Sequence, residues 1–260
     1  MNDQYLKGKV AMVTGAAQGI GAAIARELAR RGATMVVTDL QEEKLAATAE
    51  SLRELGVQVL DIRADATSVA EIRQTFAKTN DELGRLDMLV NNAGLNLSTP
   101  FPDIPEDDYD RVMAIHARGP FFSMQEAAKR MADGGRIVNI ASAVGIDGRT
   151  TFPPYAAGKA ALINMTKTIS RILGERRITV NAIAPGLIDT DIHKVADQKI
   201  GVERMGLKPG ELLAKRAEEI PLGYIGKPED VAGAVGYLCS PAGAYVTGET
   251  IIVAGGWTID

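Results

Sequence analysis

Lys9-Val10-Ala11-Met12-Val13-Thr14-Gly15-Ala16-Ala17-Gln18-Gly19-Ile20-Gly21 sets a short apolar run directly against a glycine-rich turn, and a helical period opens at Ala22. Such a strand, turn and helix form the first half of a βαβ unit. The alternation recurs along the chain, with candidate strands at Val10 to Thr14, Thr34 to Thr38, Gln58 to Arg63, Met88 to Asn91, Arg136 to Ile140, Thr179 to Ile183 and Thr250 to Val253. Helical segments lie between them, for example Ala22 to Arg31 and Gln41 to Leu55, ending at Gly32 and Gly56, where a left-handed residue costs nothing. Right-handed crossovers place helices on both faces of such a sheet. The expected fold is α/β, three-layered and doubly wound around a seven-stranded parallel sheet.

The 260 residues, 46% hydrophobic and 24% charged, are enough to bury a full core and exclude a disordered or fibrous chain. No compositional break or internal repeat divides them, so one domain spanning residues 1–260 is expected. Lys and Arg total 29 against 33 Asp and Glu, a net charge of −4 that offers no basic footprint for nucleic acid and no attraction to an anionic membrane. A single cysteine, Cys239, fits a reducing compartment, and with only His116 and His193 beside it no metal site is expected. The N-terminal MNDQYLKGKV lacks the apolar core of a secretory signal, and no apolar run approaches the roughly 20 residues of a membrane span. The cytoplasm is the expected location. One segment breaks the rhythm: Asp191 to Ile220 is long and polar, carries Gly201, Gly206, Pro209 and Gly210, and reads as a substrate-covering pair of short helices or a lid. A solvated excursion without ligand contact is the alternative.

Glycines in a strand-to-helix turn let the backbone approach a pyrophosphate, while the N–H groups and dipole of the helix N-terminus attract its charge. On its own such a turn is weak evidence, since glycine at a helix start is often only a tight turn. Context strengthens it: the second strand ends at Asp39, 18 residues beyond Gly21, where a carboxylate can accept both hydroxyls of an adenosine ribose. That carboxylate would repel a 2′-phosphate, and neither Gln18 nor Leu40 supplies a cation for one. NAD is therefore expected in preference to NADP, in a dinucleotide fold of the Rossmann type.

The strand Arg136 to Ile140 delivers Ser142 just past its C-terminal end, where ligands sit in open α/β sheets. Thirteen residues later comes Tyr155, and Lys159 follows at i+4 on one helix face, so phenol and ammonium can share a site. Taken alone, a Tyr-x-x-x-Lys pair is usually a solvated helix face. A free tyrosine, with a pKa near 10, is too weakly acidic to act as a base at neutral pH. A positive charge about 4 Å away in an effective dielectric of about 20 is worth roughly 4 kcal/mol, or about three pKa units before desolvation. Lys159 is thus expected to bring the Tyr155 phenol toward neutrality, with Ser142 donating a hydrogen bond to the substrate oxygen.

Together these residues resemble the short-chain dehydrogenase/reductase family, in its roughly 250-residue form. The resemblance runs nearly end to end: Thr14-Gly15-x-x-x-Gly19-x-Gly21, Asp65 after strand three, Asn91-Asn92-Ala93-Gly94 after strand four, Ser142, Tyr155 with Lys159, Pro185-Gly186 after strand six, and Gly255-Gly256 near the end. It implies a cofactor cradle made by Gly15, Gln18, Gly19, Ile20, Gly21, Asp39 and Leu40, with Asp65 and Ala66 lining an adenine pocket. Asn91, Ala93 and Gly94 would lie beside the cofactor, and Ile188 and Thr190, after Pro185 and Gly186, would hold the nicotinamide carboxamide. Lys159 would also grip the nicotinamide ribose. Read from the residues alone, Asn91 and Thr190 are loop residues at strand ends.

Two departures stand out. His116-Ala-Arg-Gly119-Pro-Phe121 occupies the place where the family usually has Asn-x-x-Gly-x-Phe, a position that helps hold a water linking the lysine to solvent. A histidine keeps the backbone carbonyl and adds its own donor and acceptor, so the proton relay is expected to survive with His116 as a fourth catalytic residue; a tolerated helix residue without a relay is the alternative. Ala254 stands where many relatives have an aspartate, a change that concerns C-terminal packing. By resemblance a homotetramer is implied.

The expected activity is NAD-dependent interconversion of a secondary alcohol (a polyol, sugar or small diol) and its ketone, with Tyr155 as acid and base. A reductase of acyl-carrier-protein-linked 3-oxoacyl thioesters is the runner-up. A catalytically silent NAD(H) sensor or scaffold would keep Gly15, Gly19, Gly21 and Asp39 but would not need Ser142, Tyr155 and Lys159 together.

Overall fold

A computed structural model describes residues 4–258, except 98, 149–151 and 192–196. In chain order the elements that build the core are β1 (Val10–Thr14), α1 (Gly19–Arg30), β2 (Thr34–Asp39), α2 (Glu42–Arg53), β3 (Val59–Arg63), α3 (Val69–Leu83), β4 (Leu86–Asn91), α4 (Glu106–Met113), α5 (Gly119–Arg130), β5 (Met131–Ile140), α6 (Val144–Asp147), α7 (Pro153–Leu173), β6 (Thr179–Pro185), α8 (Glu211–Glu218), α9 (Pro228–Cys239) and β7 (Thr250–Val253). The seven strands form one sheet in the order β3-β2-β1-β4-β5-β6-β7, and every pairing is parallel. The strand alternation expected from the sequence appears as two cores. Ala11 and Val13 of β1 face one cluster with Ile24 and Leu28 of α1, Leu45 of α2 and Val235 of α9. Val10 and Met12 face the other, with Phe76 of α3, Met124 of α5 and Leu162 of α7. A period of two in the strands and helical stripes on both sides produce the three layers.

Gly32 and Gly56 do take left-handed conformations, with φ of 92° and 81°. β5 begins at Met131, five residues ahead of its expected start, because Met131 pairs with Leu86 across a register shift in β4. The stretch Ala-Asp-Gly-Gly reads locally as a turn; long-range pairing overrides that reading. Beyond β6, residues 192–196 of the expected covering segment lie outside the described residues, but the rest forms a π turn at Asp197–Val202 and α8. Asp197 is buried and ties these together, its carboxylate accepting from Gly210 N at 2.6 Å and Leu213 N at 3.2 Å. Among the described residues no helix is long and apolar enough to cross a membrane.

The strand order reverses between β1 and β4, and their carboxyl ends flank the resulting crevice. There the chain is packed to contact. A Cβ on Gly15, whose φ is 66°, would lie 2.7 Å from Ala93 Cα, and one on Gly21 would lie 2.1 Å from Gly15 O. Asn92 closes the junction: its Nδ2 donates to Thr14 O at 3.0 Å and Gly15 O at 2.9 Å, while Thr14 Oγ1 accepts from Asn92 N and Ala93 N. Gly21→Ala is therefore expected to cost about 1–3 kcal/mol through overpacking against backbone. Urea denaturation measures it, and an unchanged midpoint would mean that the turn has room to relax.

Candidate active site

The N-terminus of α1 has no side-chain cap and no acidic residue in its first turn, so its N–H groups are left for an anionic group from outside the helix. Gly19, at φ 56°, faces Thr190 across the mouth, with a Cβ position 3.5 Å from Thr190 Cγ2. Ile20 follows in the first turn of α1. At the end of β2 the Asp39 carboxylate is oriented by two backbone donors, Ala17 N at 3.1 Å and Gln41 N at 3.0 Å. Leu40 beside it is exposed. These features fit a dinucleotide: a bare helix start for the pyrophosphate and a fixed carboxylate for the ribose hydroxyls. A cation that the sequence reading did not consider lies nearby, since Lys44 of α2 donates to Gln18 Oε1 at 2.6 Å. Lys44 is remote from the glycine turn in sequence, and only the packing of α2 beside α1 brings it there.

The remaining cradle residues occupy the same edge of the sheet. Asp65 Oδ1 accepts from Thr67 N and Oγ1, both at 2.8 Å, which fixes the loop after β3. Ala66 O lies against Gly119, where a Cβ would come within 2.2 Å. Asn91 is buried at the end of β4 and donates to Asn139 Oδ1 at 2.8 Å. Ala93 and Gly94 follow it. At the end of β6, Pro185 pairs with Val253, and just past it Gly186 packs on Ala254, whose Cβ is 2.7 Å from a Cβ placed on Gly186. The alanine at that departure thus sits directly beneath the loop. Ile188 is buried and bridges Gly226, and Thr190 Oγ1 donates to Ile188 O at 3.4 Å.

Ser142, Tyr155 and Lys159 come together. Ser142 sits in a turn held on both sides, by Ala141 N to Ile183 O at 2.7 Å and Ala143 N to Pro185 O at 2.9 Å. Tyr155 and Lys159 lie in the first two turns of α7, the Tyr155 hydroxyl is hydrogen-bonded to Ser142, and Lys159 Nζ lies 5.7 Å from the Tyr155 ring centroid. Burial pushes the Tyr155 phenol above its ordinary value, and the Ser142 hydrogen bond offsets only part of that. This corrects the expectation that Lys159 brings the phenol toward neutrality. The ammonium is spent elsewhere: buried, it donates to Ile140 O at 2.7 Å, and desolvation brings its own pKa down to about 7. A lysine half-charged at neutral pH and turned to a carbonyl exerts only part of the assumed field.

His116 lies on a π turn, Ala114–Arg118, between α4 and α5. One extra residue in a helical turn redirects a side chain, and here it delivers the imidazole to the site. The ring is buried and meets Tyr155 edge-on, with centroids 4.9 Å apart at 86°. Glycines make the room: a Cβ on Gly94 would fall 2.7 Å from His116 Cε1, and one on Gly158 2.8 Å from His116 Cβ. His116 Nε2 lies 2.7 Å from Leu95 O, and since a carbonyl only accepts, Nε2 carries the proton and Nδ1 keeps a lone pair. Burial first and the Lys159 charge second hold the imidazole at about 3, so it is neutral at pH 7. What the neutral residue offers to a neighbour is the Nδ1 lone pair and its backbone carbonyl, not an imidazolium. His193 lies outside the described residues.

The family described as enoyl-(acyl carrier protein) reductase matches residues 15–258. The chain is 37% identical over 254 residues to the 3-oxoacyl-[acyl-carrier-protein] reductase FabG of Aquifex aeolicus, covering 96% of this chain and 98% of the relative. It is 36% identical over 254 residues to the galactitol 2-dehydrogenase of Agrobacterium fabrum, with the same coverage. Among solved structures, a blue fluorescent protein from a metagenomic library, in complex with NADPH, superposes with a TM-score of 0.88 at 39% identity, covering 98% of this chain and 99% of that one.

The buried imidazole makes stability depend on acid. Between its ordinary 6.5 and about 3, the unfolded chain binds a proton that the native state refuses, so stability falls as pH drops through that window. The slope approaches about 1.4 kcal/mol per pH unit. Urea midpoints of His116→Asn across that range should fall less steeply than those of the parent, and equal slopes would show that the imidazole is open to solvent.

Proposed function

This chain belongs to the short-chain dehydrogenase/reductase family, and on that premise we propose that it is an NAD-dependent oxidoreductase interconverting a secondary alcohol (a polyol, sugar or small diol) and its ketone. Action on CH–OH or keto groups with a nicotinamide cofactor is the chemistry of the family; the narrower reading rests on this chain's own residues. The observation that carries it is the juxtaposition of Ser142, Tyr155 and Lys159 at the carboxyl edge of the sheet.

A bound nicotinamide would supply the hydride chemistry. The protein handles the proton. In the oxidative direction Tyr155 Oη takes the proton of the substrate hydroxyl, while Ser142 Oγ donates to the substrate oxygen and holds it in line. Burial disfavours the phenolate, so its formation depends on Ser142 and on the charged fraction of Lys159. His116, neutral, orders the loop after β4 through Leu95 O and offers its lone pair or carbonyl to a proton path from Lys159. The α1 N-terminus with Gly15, Gly19 and Gly21 would hold the pyrophosphate, Asp39 the adenosine ribose, and Ile188 and Thr190 the carboxamide. The described part of the expected cover, residues 197–220, would lie over the substrate. One NAD-binding unit of 260 residues, cytoplasmic and assembled as a homotetramer, completes the reading.

The preference for NAD rests on Asp39, held by two N–H groups where it would repel a 2′-phosphate. Asp39→Asn combined with Leu40→Arg removes the repulsion and adds a phosphate partner. The ratio of kcat/KM for NADP to that for NAD should rise at least tenfold, about 1.4 kcal/mol. An unmoved ratio contradicts the assignment.

A 3-oxoacyl thioester reductase is the second reading, supported by the name of the Aquifex relative. Absorbance of NADH separates the two when polyols, sugars and diols are screened with NAD alongside a 3-oxoacyl thioester with NADH and NADPH. Turnover of an alcohol in the panel, lowered about 10²- to 10⁴-fold by Tyr155→Phe with NADH binding retained, is the expected result. Activity on the thioester alone promotes the second reading, and undiminished turnover in Tyr155→Phe removes the proposed acid and base.

A further inference from the structure

We propose that Asn139 and Thr166 are positioning residues that seat α7 on β5 and thereby set the location of Lys159. The inference deepens the role proposed for Lys159 and rests on that reading. Helix α7 runs for 21 residues and carries Tyr155 and Lys159 near its start, so whatever fixes its position along the sheet fixes both. Lys159, Leu162 and Thr166 stand at i, i+3 and i+7 on one face, and all three are buried.

Asn139, fully buried in β5, donates from Nδ2 to Thr166 Oγ1 at 2.9 Å. Thr166 Oγ1 in turn donates to Leu162 O at 2.8 Å. With the hydroxyl proton committed to Leu162, the threonine oxygen can only accept, which forces the amide group of Asn139 toward it. The amide oxygen is then left for Asn91 Nδ2, at 2.8 Å, and Asn91 is the residue paired in register with Asn139 on β4. The second proton of Asn139 Nδ2 meets Met124 Sδ at 3.4 Å, so both protons of that amide are committed and its orientation is fixed.

The next residue of β5, Ile140, supplies the carbonyl that takes Lys159 Nζ at 2.7 Å. Adjacent strand residues thus hold α7 at two points seven residues apart, about 10.5 Å along the helix axis. Apolar contacts along that face tolerate small sliding, whereas a fully satisfied buried polar chain does not. A shift of α7 would lengthen the Lys159–Ile140 bond and move the ammonium relative to the titratable groups that face it among the described residues, Tyr155 on its own helix and His116 on the π turn.

The test compares Thr166→Val, which keeps the volume and removes the hydroxyl, with Thr166→Ser, which keeps the hydroxyl. Lys159 titration is followed by ¹³C NMR on lysine-labelled protein, assigned with Lys159→Arg, and needs no substrate. Thr166→Val should move the titration midpoint, and on any substrate found it should lower kcat about 10- to 100-fold with cofactor KM nearly unchanged. Thr166→Ser should restore both. Should the valine variant fail to fold, Thr166→Ala serves in the same assays. A folded variant of lower urea midpoint with unmoved Lys159 titration and kcat would overturn the proposal, leaving an ordinary core hydrogen bond. Absence of activity on every substrate, with a moved titration, would count against the proposed reaction and not against the seating of α7.

Discussion

Much of this structure hangs on the closeness of β1 and β4 where the sheet reverses direction. Two glycines without room for a Cβ, and one asparagine whose amide holds the carbonyls of Thr14 and Gly15, bring the first turn against the loop after β4. Backbone packed this tightly cannot drift. The bare start of α1, the orientation of Asp39 through Ala17 N, and the placement of Ala93 and Gly94 beside the crevice all follow from that one junction. The proposed cofactor cradle is made of backbone more than of side chains, an arrangement by which a mildly acidic protein would hold a pyrophosphate without a basic surface.

On the other side of the crevice the controlling quantity is burial. Lys159 and His116 are both driven toward their neutral forms by desolvation, and Tyr155 is held protonated by the same cause. A site arranged in this way stores little fixed charge. Its chemistry depends on hydrogen bonds with assigned directions: Tyr155 with Ser142, Lys159 to Ile140 O and His116 to Leu95 O. The π turn and the glycines at 94 and 158 make room for an imidazole, whose Nε2 meets Leu95 O in the loop after β4.

The fold and the residues of the candidate site were largely readable from the chain, because both are written in local patterns. Strand alternation, helical period, glycines at turns and the four-residue step from Tyr155 to Lys159 need only neighbours in sequence, and all seven strands appear where that reading puts them, with ends differing by a few residues. β5 is the main exception. Its early start depends on Leu86, which lies 45 positions away from its partner Met131.

What local patterns could not carry is the state of each group. Whether the phenol sits high or low depends on how deeply α7 is buried and where the Lys159 ammonium turns, and both are consequences of long-range packing. Lys44 reaches Gln18 across 26 positions, Asn92 reaches Gly15 across 77, and Asn139 joins Asn91 to Thr166 across 48 and 27. None of these partners is signalled by spacing. Residue type and order suffice to select the sheet and to mark the chemistry-bearing side chains, because those follow from periodicity and steric limits along the chain. Charge state, hydrogen-bond direction and the seating of one helix on one strand arise only when remote segments meet in a medium poor in water, where each polar group must find a partner or lose its charge.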